Sequence, residues 1–133
     1  MTARLLVIAV AVLALGWLAV NLRGLDRYED GQRLALAPGA TEASAREAAR
    51  LLHDARFLNP DTRPLVAEGS LLVARGGSRA SEGMAMLEEA VRKEPDNVVA
   101  WAVLASATRR LDPPRSRQAR ARANELSPPV PKQ

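Results

Sequence analysis

The chain has 133 residues, with 19 basic side chains against 15 acidic ones, one histidine and no cysteine. That length allows about one domain, and the missing cysteine excludes disulfides, thiolate nucleophiles and cysteine-based zinc or iron–sulfur sites. Aromatics are only 3% of the chain, too few for a base-stacking nucleic-acid platform and, with β-branched runs scarce, for an all-β fold.

Leu5 to Val20 reads LLVIAVAVLALGWLAV, without charge or a strong polar group, and Leu22 extends the run past Asn21. A helix of that length spans about 24–27 Å at about 1.5 Å per residue. It can cross a hydrocarbon core of about 30 Å with modest local thinning. Trp17 suits the headgroup boundary, and Arg4 and Arg23 hold the two ends in water. A core helix would carry a polar stripe, and this one has none. A cleaved signal peptide is the competing reading, because MTAR before an apolar run is a suitable opening. NLRGLDR offers no good small-x-small cleavage site, so residues 1–23 are expected to be an uncleaved single-pass membrane anchor. Arg23, Arg27 and Arg33 after the run favour a cytoplasmic body by basic-residue count. A very short basic N-tail favours export, and the expectation is an extracytoplasmic body.

Residues 24–42 mix charges and end at Pro38-Gly39, and are expected to be a linker or an irregular first helix. Ser44 and Glu47 form a capping box, which predicts a helix over 45–57 with Ala48, Leu51, Leu52 and Ala55 on one face. Pro64 opens a second helix that stops at Gly76-Gly77. A third starts near Ser81 and carries Met84, Leu87, Ala90 and Val91. A fourth carries Trp101, Leu104, Ala105 and Thr108 and ends near Leu111. Asp112 caps a fifth that begins at Pro113 and runs to about Leu126. The tail over 129–133 is too proline-rich for a helix and is expected to be disordered.

The segments ARFLNPDT, VRKEPDNV and ANELSPPV align. Their prolines, Pro60, Pro95 and Pro128, lie 35 and 33 residues apart, each preceded by an alanine five positions earlier: Ala55, Ala90 and Ala123. A short helix pair cannot bury its apolar face alone, so it stacks on its neighbour. The alanine permits close approach, and the proline ends each pair at the same point.

The pattern resembles the tetratricopeptide repeat (TPR) family over about Ala43 to Pro128, at a period near 34 residues. Trp101, Leu104 and Ala105 match a repeat's first helix. Leu87, Ala90 and Pro95 match its second, as do Ala48, Leu52, Ala55 and Pro60 in an earlier unit. Leu65, Gly69 and Leu72 fit a first helix, although Glu68 stands where leucine is usual. Arg120, beside Ser116 and Ala123 in the last unit, also departs from the pattern. The ragged ends suit capping repeats. The resemblance implies an all-α fold, an N-terminal transmembrane helix followed by a short TPR-like α-solenoid of antiparallel helix pairs, about two and a half repeats over 43–128. It implies a non-enzymatic scaffold or assembly factor of the bacterial envelope that binds a protein partner. Arg63, Val66, Ser70, Val73, Val99, Ala102, Ser106 and Arg109 would line its groove, with Arg63 and Arg109 suited to an extended peptide bearing an acidic group. So short an array is marginal alone, so a partner, a second copy of the chain or the membrane is expected to complete it.

Nothing in the chain points to catalysis. His53 has no evident partner for general-base work. Glu88-Glu89 and Glu29-Asp30 point in different directions on a helix. Gly76-Gly77 lacks the strand and lysine of a phosphate loop. No metal set or cofactor loop is present, and no cofactor is expected. Arg109, Arg110, Arg115, Arg117, Arg120, Arg122 and Lys132 crowd the last 25 residues. They raise an alternative function, a basic last helix that holds the body against anionic lipid. Seventeen of the 19 basic residues are arginine, so a plain solvated helix accounts for the strip too. No nucleic-acid partner is expected.

Overall fold

A computed structural model describes residues 2–57 and 59–127 and shows six α-helices and no strand among them. They are α1 (Thr2–Leu36), α2 (Glu42–Ala55), α3 (Arg63–Arg75), α4 (Ala80–Lys93), α5 (Val98–Thr108) and α6 (Pro113–Leu126), with a 3₁₀ turn over Gly77–Arg79 before α4. Pro128 and the 129–133 tail, including Lys132, lie outside the described residues.

The largest departure from expectation is in α1. Residues 24–36, expected as a linker or an irregular first helix, are regular helix: the apolar helix continues without a break to Leu36. Its second half is the partner of α2. A buried stripe holds the two together, and that stripe is built of small residues. Gly24 packs against the Ala55 carbonyl, and Gly31 packs against Leu52 and the Ala48 carbonyl. Tyr28, Leu34 and Ala35 are partly buried on the same side. Pro38-Gly39 then breaks the helix, with Gly39 at φ 73°, a left-handed value that a glycine takes without steric cost. The next cap is Thr41 rather than Ser44. The Ser44 backbone N–H donates to Thr41 Oγ1 at 3.2 Å, while Glu47 pairs with Arg50. Helix α2 ends at Ala55, two residues before the expected Phe57.

The helices form three antiparallel hairpins. In α1/α2, Gly24 meets Ala55 while Gly31 meets Ala48. In α3/α4, Gly69 meets Leu87 while Val73 meets Gly83. In α5/α6, the Ser116 hydroxyl donates to the Ala105 carbonyl at 2.7 Å. Neighbouring hairpins join through α2 on α3 and α4 on α5, and α3 also touches α1 and α5. Thus α1, α3 and α5 form an inner row, with α3 between the other two.

One core cluster runs through α3 to α6, with Leu65, Leu87, Val91, Leu104 and Ala119. A second joins α2 to α3 through Ala48, Ala49, Leu52 and Leu71. Leu52, Leu87 and Leu104 are fully buried, each worth about 1.5–3 kcal/mol of transfer free energy. The three alanines before the aligned prolines, Ala55, Ala90 and Ala123, are all buried. Trp101 is not a core residue in full. It is half-buried beside the α3–α6 cluster, with its indole N–H donating to the Pro95 carbonyl at 2.8 Å. Helix α5 stops at Thr108, short of Leu111: the Leu111 and Asp112 N–H groups both turn back onto the Thr108 carbonyl, and Asp112 caps α6.

Candidate functional site

The inner row leaves an open groove. Tyr28 and Gln32 of α1 form one wall, Val66, Ala67 and Ser70 of α3 the floor, and Val99 and Val103 of α5 the other wall. Arg63 and Asn97 close one end, and the groove encloses about 340 Å³. Val99 is 65% exposed, so it presents apolar surface that no part of the described chain covers. This is the mix of apolar walls and few polar groups that binding sites favour.

Two turns set the groove's edge. Asp61 accepts from the backbone and side chain of Arg63, and the Arg63 guanidinium lies 5.9 Å from the centre of the Tyr28 ring, within cation–π range. Burial would raise the Asp61 carboxyl, but its bonds to Arg63 outweigh burial and hold it below the usual carboxylate range. Burial pushes the Tyr28 hydroxyl up, against the pull of the Arg63 charge. Opposite, Glu94 joins the α2–α3 turn to the α4–α5 turn. It accepts from the Thr62 backbone N–H at 3.2 Å and from Asn97 Nδ2 at 2.7 Å. Burial would raise Glu94 as well, and these bonds lower it instead. Asn97 Oδ1 at the same time caps α5 by accepting from the Ala100 N–H.

The eight residues expected to line one groove divide among three places. Arg63, Val66, Ser70 and Val99 line it. Val73 packs instead against the core beside Met86. Ala102, Ser106 and Arg109 lie in a separate depression of about 190 Å³ between α5 and α6, with Arg120. Arg63 and Arg109 therefore do not form a pair across one groove. Their helices match in register, but α5 turns its Ala102–Arg109 face toward α6 rather than α3. The expected set omits Tyr28 and Gln32, because residues 24–42 read as a linker or an irregular first helix outside the repeats. The spacing of Gly24, Tyr28, Gly31 and Ala35 is the available signal.

Other charged groups take structural positions. Glu68, in its leucine-like place, is 3% exposed and pairs with Arg56 at 3.0 Å. His53 Nδ1 lies 3.5 Å from the same carboxylate, with the ring mostly exposed. On α6, Arg115 faces Glu88 and Arg122 faces Asp96 and Glu125, while Arg117 and Arg120 are exposed. Among the described residues no cluster of three His, Asp or Glu side chains could hold a metal ion. One helix is long and apolar enough to cross a membrane, and Arg4 to Ala19 are exposed all round it. No family model, curated protein or solved structure matches the chain.

Proposed function

We propose that the chain is a non-enzymatic, membrane-anchored scaffold of TPR-like build, whose inner groove holds a segment of a partner protein. The observation that carries this reading is the open groove between α1, α3 and α5, with Val99 exposed on its wall. Three hairpins in sequence, buried alanines before the aligned prolines and the aligned turns Thr62 and Asn97 support a repeat architecture. The first half of α1 supplies the anchor. Its second half completes a first hairpin that the repeat pattern alone leaves without its opening helix. The partner segment needs apolar side chains for Val66, Val99 and Val103 and a hydrogen-bonding group for Gln32, Ser70 or Asn97. Arg63 is already engaged by Asp61 and Tyr28, so an acidic group on the segment is a lesser requirement.

A photo-crosslinking side chain placed at Val99 or Gln32 of the full chain in native membranes tests this. A discrete adduct is expected from both positions and none from Ala121, which is exposed on α6. Ser70→Trp, which fills the groove floor, should remove the adduct. An adduct that survives Ser70→Trp, or forms equally from Ala121, refutes the groove. The orientation is tested separately. A cysteine in place of exposed Ser81 should react with an impermeant maleimide in intact cells if the array lies outside the cytoplasmic membrane.

A further inference from the structure

Another depression is larger than the groove. It lies where α1 leaves its apolar stretch, encloses about 510 Å³, and is lined by Val20, Arg23, Gly24 and Arg27 of α1 and by His53, Asp54, Arg56 and Phe57 at the end of α2. Gly24 marks where the two helices meet: a Cβ there would stand 3.5 Å from the Ala55 carbonyl oxygen, an ordinary van der Waals contact. That contact brings the end of α2 to the level of Arg23, one residue past Leu22. Three arginines converge on the depression. Arg27 bridges to Asp54 at 3.2 Å, and Asp54 is also held by Arg50. Arg56 reaches back to buried Glu68. Arg23 is exposed, with no acidic group within 4 Å among the described residues. Around this positive excess the surface is apolar: Phe57 is 71% exposed, Leu22 55% and Trp17 60%.

We propose that this depression holds the headgroup of an anionic phospholipid in the leaflet from which α1 emerges, an inference that rests on the reading of α1 as a membrane anchor. Guanidinium forks match phosphate oxygens in geometry and charge. The depth is right for phosphate, because Arg23 follows the last apolar residue of the span. A soluble phosphate would leave Phe57, Leu22 and Val20 in water, whereas a lipid covers them with its own glycerol and upper acyl carbons. The phosphate lies between Arg23 and Arg27, and Phe57 enters the boundary beside it. The array is then pinned at two points, the anchor and the end of α2.

The test uses the full chain in detergent micelles, with phosphatidylglycerol and phosphatidylcholine added in equal amounts and retained lipid counted by native mass spectrometry. Wild type should retain phosphatidylglycerol preferentially. Arg23→Gln should lower that preference by about fivefold, and adding Arg27→Gln, whose charge is shared with Asp54, should lower it further by a smaller factor. Phe57→Ala should weaken retention of both lipids, and Arg117→Gln with Arg120→Gln on α6 should change nothing. If the double variant melts early by circular dichroism, Arg23→Gln alone carries the test, since that side chain is exposed. Equal retention of the two lipids by wild type, or an unchanged preference in the arginine variants, overturns the proposal. Loss of preference in the α6 variant overturns it too and moves the lipid site to the last helix. Alkaline carbonate extraction of the expressed chain separates the two failures. Release from membranes would refute the anchor itself; retention without lipid preference would refute the headgroup site alone.

Discussion

Helices α3 and α4 cross at two glycines, and the crossing can be tested by adding one carbon. A Cβ on Gly83 would lie 2.6 Å from the Gly69 carbonyl oxygen, 2.9 Å from Leu72 Cβ and 2.9 Å from the Val73 nitrogen. Two of those three neighbours are backbone, so no rotamer change relieves the clash. Restoring an ordinary contact of 3.4 Å from 2.6 Å requires the helices to part by about 0.8 Å. That parting loosens Leu65 and Leu87 in the larger core. In an unobstructed helix Gly→Ala would stabilise by about 1 kcal/mol through backbone entropy. Overpacking costs about 1–3 kcal/mol or more, and contact with rigid backbone places this case at the upper end. The expected net effect of Gly83→Ala is a loss of about 2 kcal/mol. For an array of this size that is a fall in Tm of about 10 °C, read by far-UV circular dichroism of the full chain in detergent. Gly16→Ala, with nothing within 4 Å of its added Cβ, should leave the melt of the array unchanged. A Gly83→Ala chain that melts at or above the wild-type temperature would refute the close crossing and the hairpin packing inferred from it.

The buried pair Arg56–Glu68 predicts an asymmetry. Arg56→Ala strands a carboxylate that is 3% exposed and should cost about 3 kcal/mol, whereas Glu68→Leu restores an apolar side chain and should be near neutral; equal losses in urea unfolding would refute the pair as the reason. Glu94→Ala deprives the Thr62 N–H of its acceptor and should cost about 1–2 kcal/mol at neutral pH. Because the folded Glu94 carboxyl lies below its ordinary value, this contribution is complete above the ordinary carboxylate pKa and is lost as pH falls through the lowered folded one. The stability gap between wild type and Glu94→Ala should therefore close on acidification, and a gap that stays constant to low pH would rule the clasp out. Trp101→Ala should cost about 2 kcal/mol rather than the roughly 3–5 of a fully buried aromatic, because the ring is half-exposed; a loss within the fully buried range would mean that the indole sits deeper than the structure places it.

The elements legible in the sequence are those with punctuation. Asp112-Pro113 marks the start of α6, Pro64 the first turn of α3 and Gly76-Gly77 its end, and each falls where local backbone chemistry leaves little choice. The ends of α2 and α4 were legible for the same reason, since a buried alanine and a proline recur there, Ala55 with Pro60 and Ala90 with Pro95. The second half of α1 was not. Its buried stripe is Gly24, Tyr28, Gly31 and Ala35, and glycines carry no apolar signal although a Cβ on Gly31 would lie only 2.9 Å from Leu52. Glu68 shows the converse failure: a carboxylate reads as surface, and only the arrival of Arg56 from another helix makes its burial tolerable. The groove was half legible. The TPR resemblance placed Arg63, Val66, Ser70 and Val99 in one groove, but it could not say that α5 is rotated so that Arg109 faces α6.

The continuity of α1 bears on how a scaffold of this kind would work. Tyr28 and Gln32 stand six and ten residues past Leu22, about 9 and 15 Å along the same helix axis. No hinge separates them from the apolar stretch, because the helix runs unbroken through Arg23. On the proposed reading the groove therefore opens within about two helical turns of the bilayer surface. A bulky folded domain would meet lipid before reaching it, whereas an extended segment next to a membrane would not. A flexible linker would let the array sample the whole space around its tether and raise encounter with soluble partners. A rigid helix gives up that reach and fixes the groove's height and direction instead. That exchange suits a partner that is itself held in the membrane, where two fixed heights bring groove and segment together without a search along the third dimension.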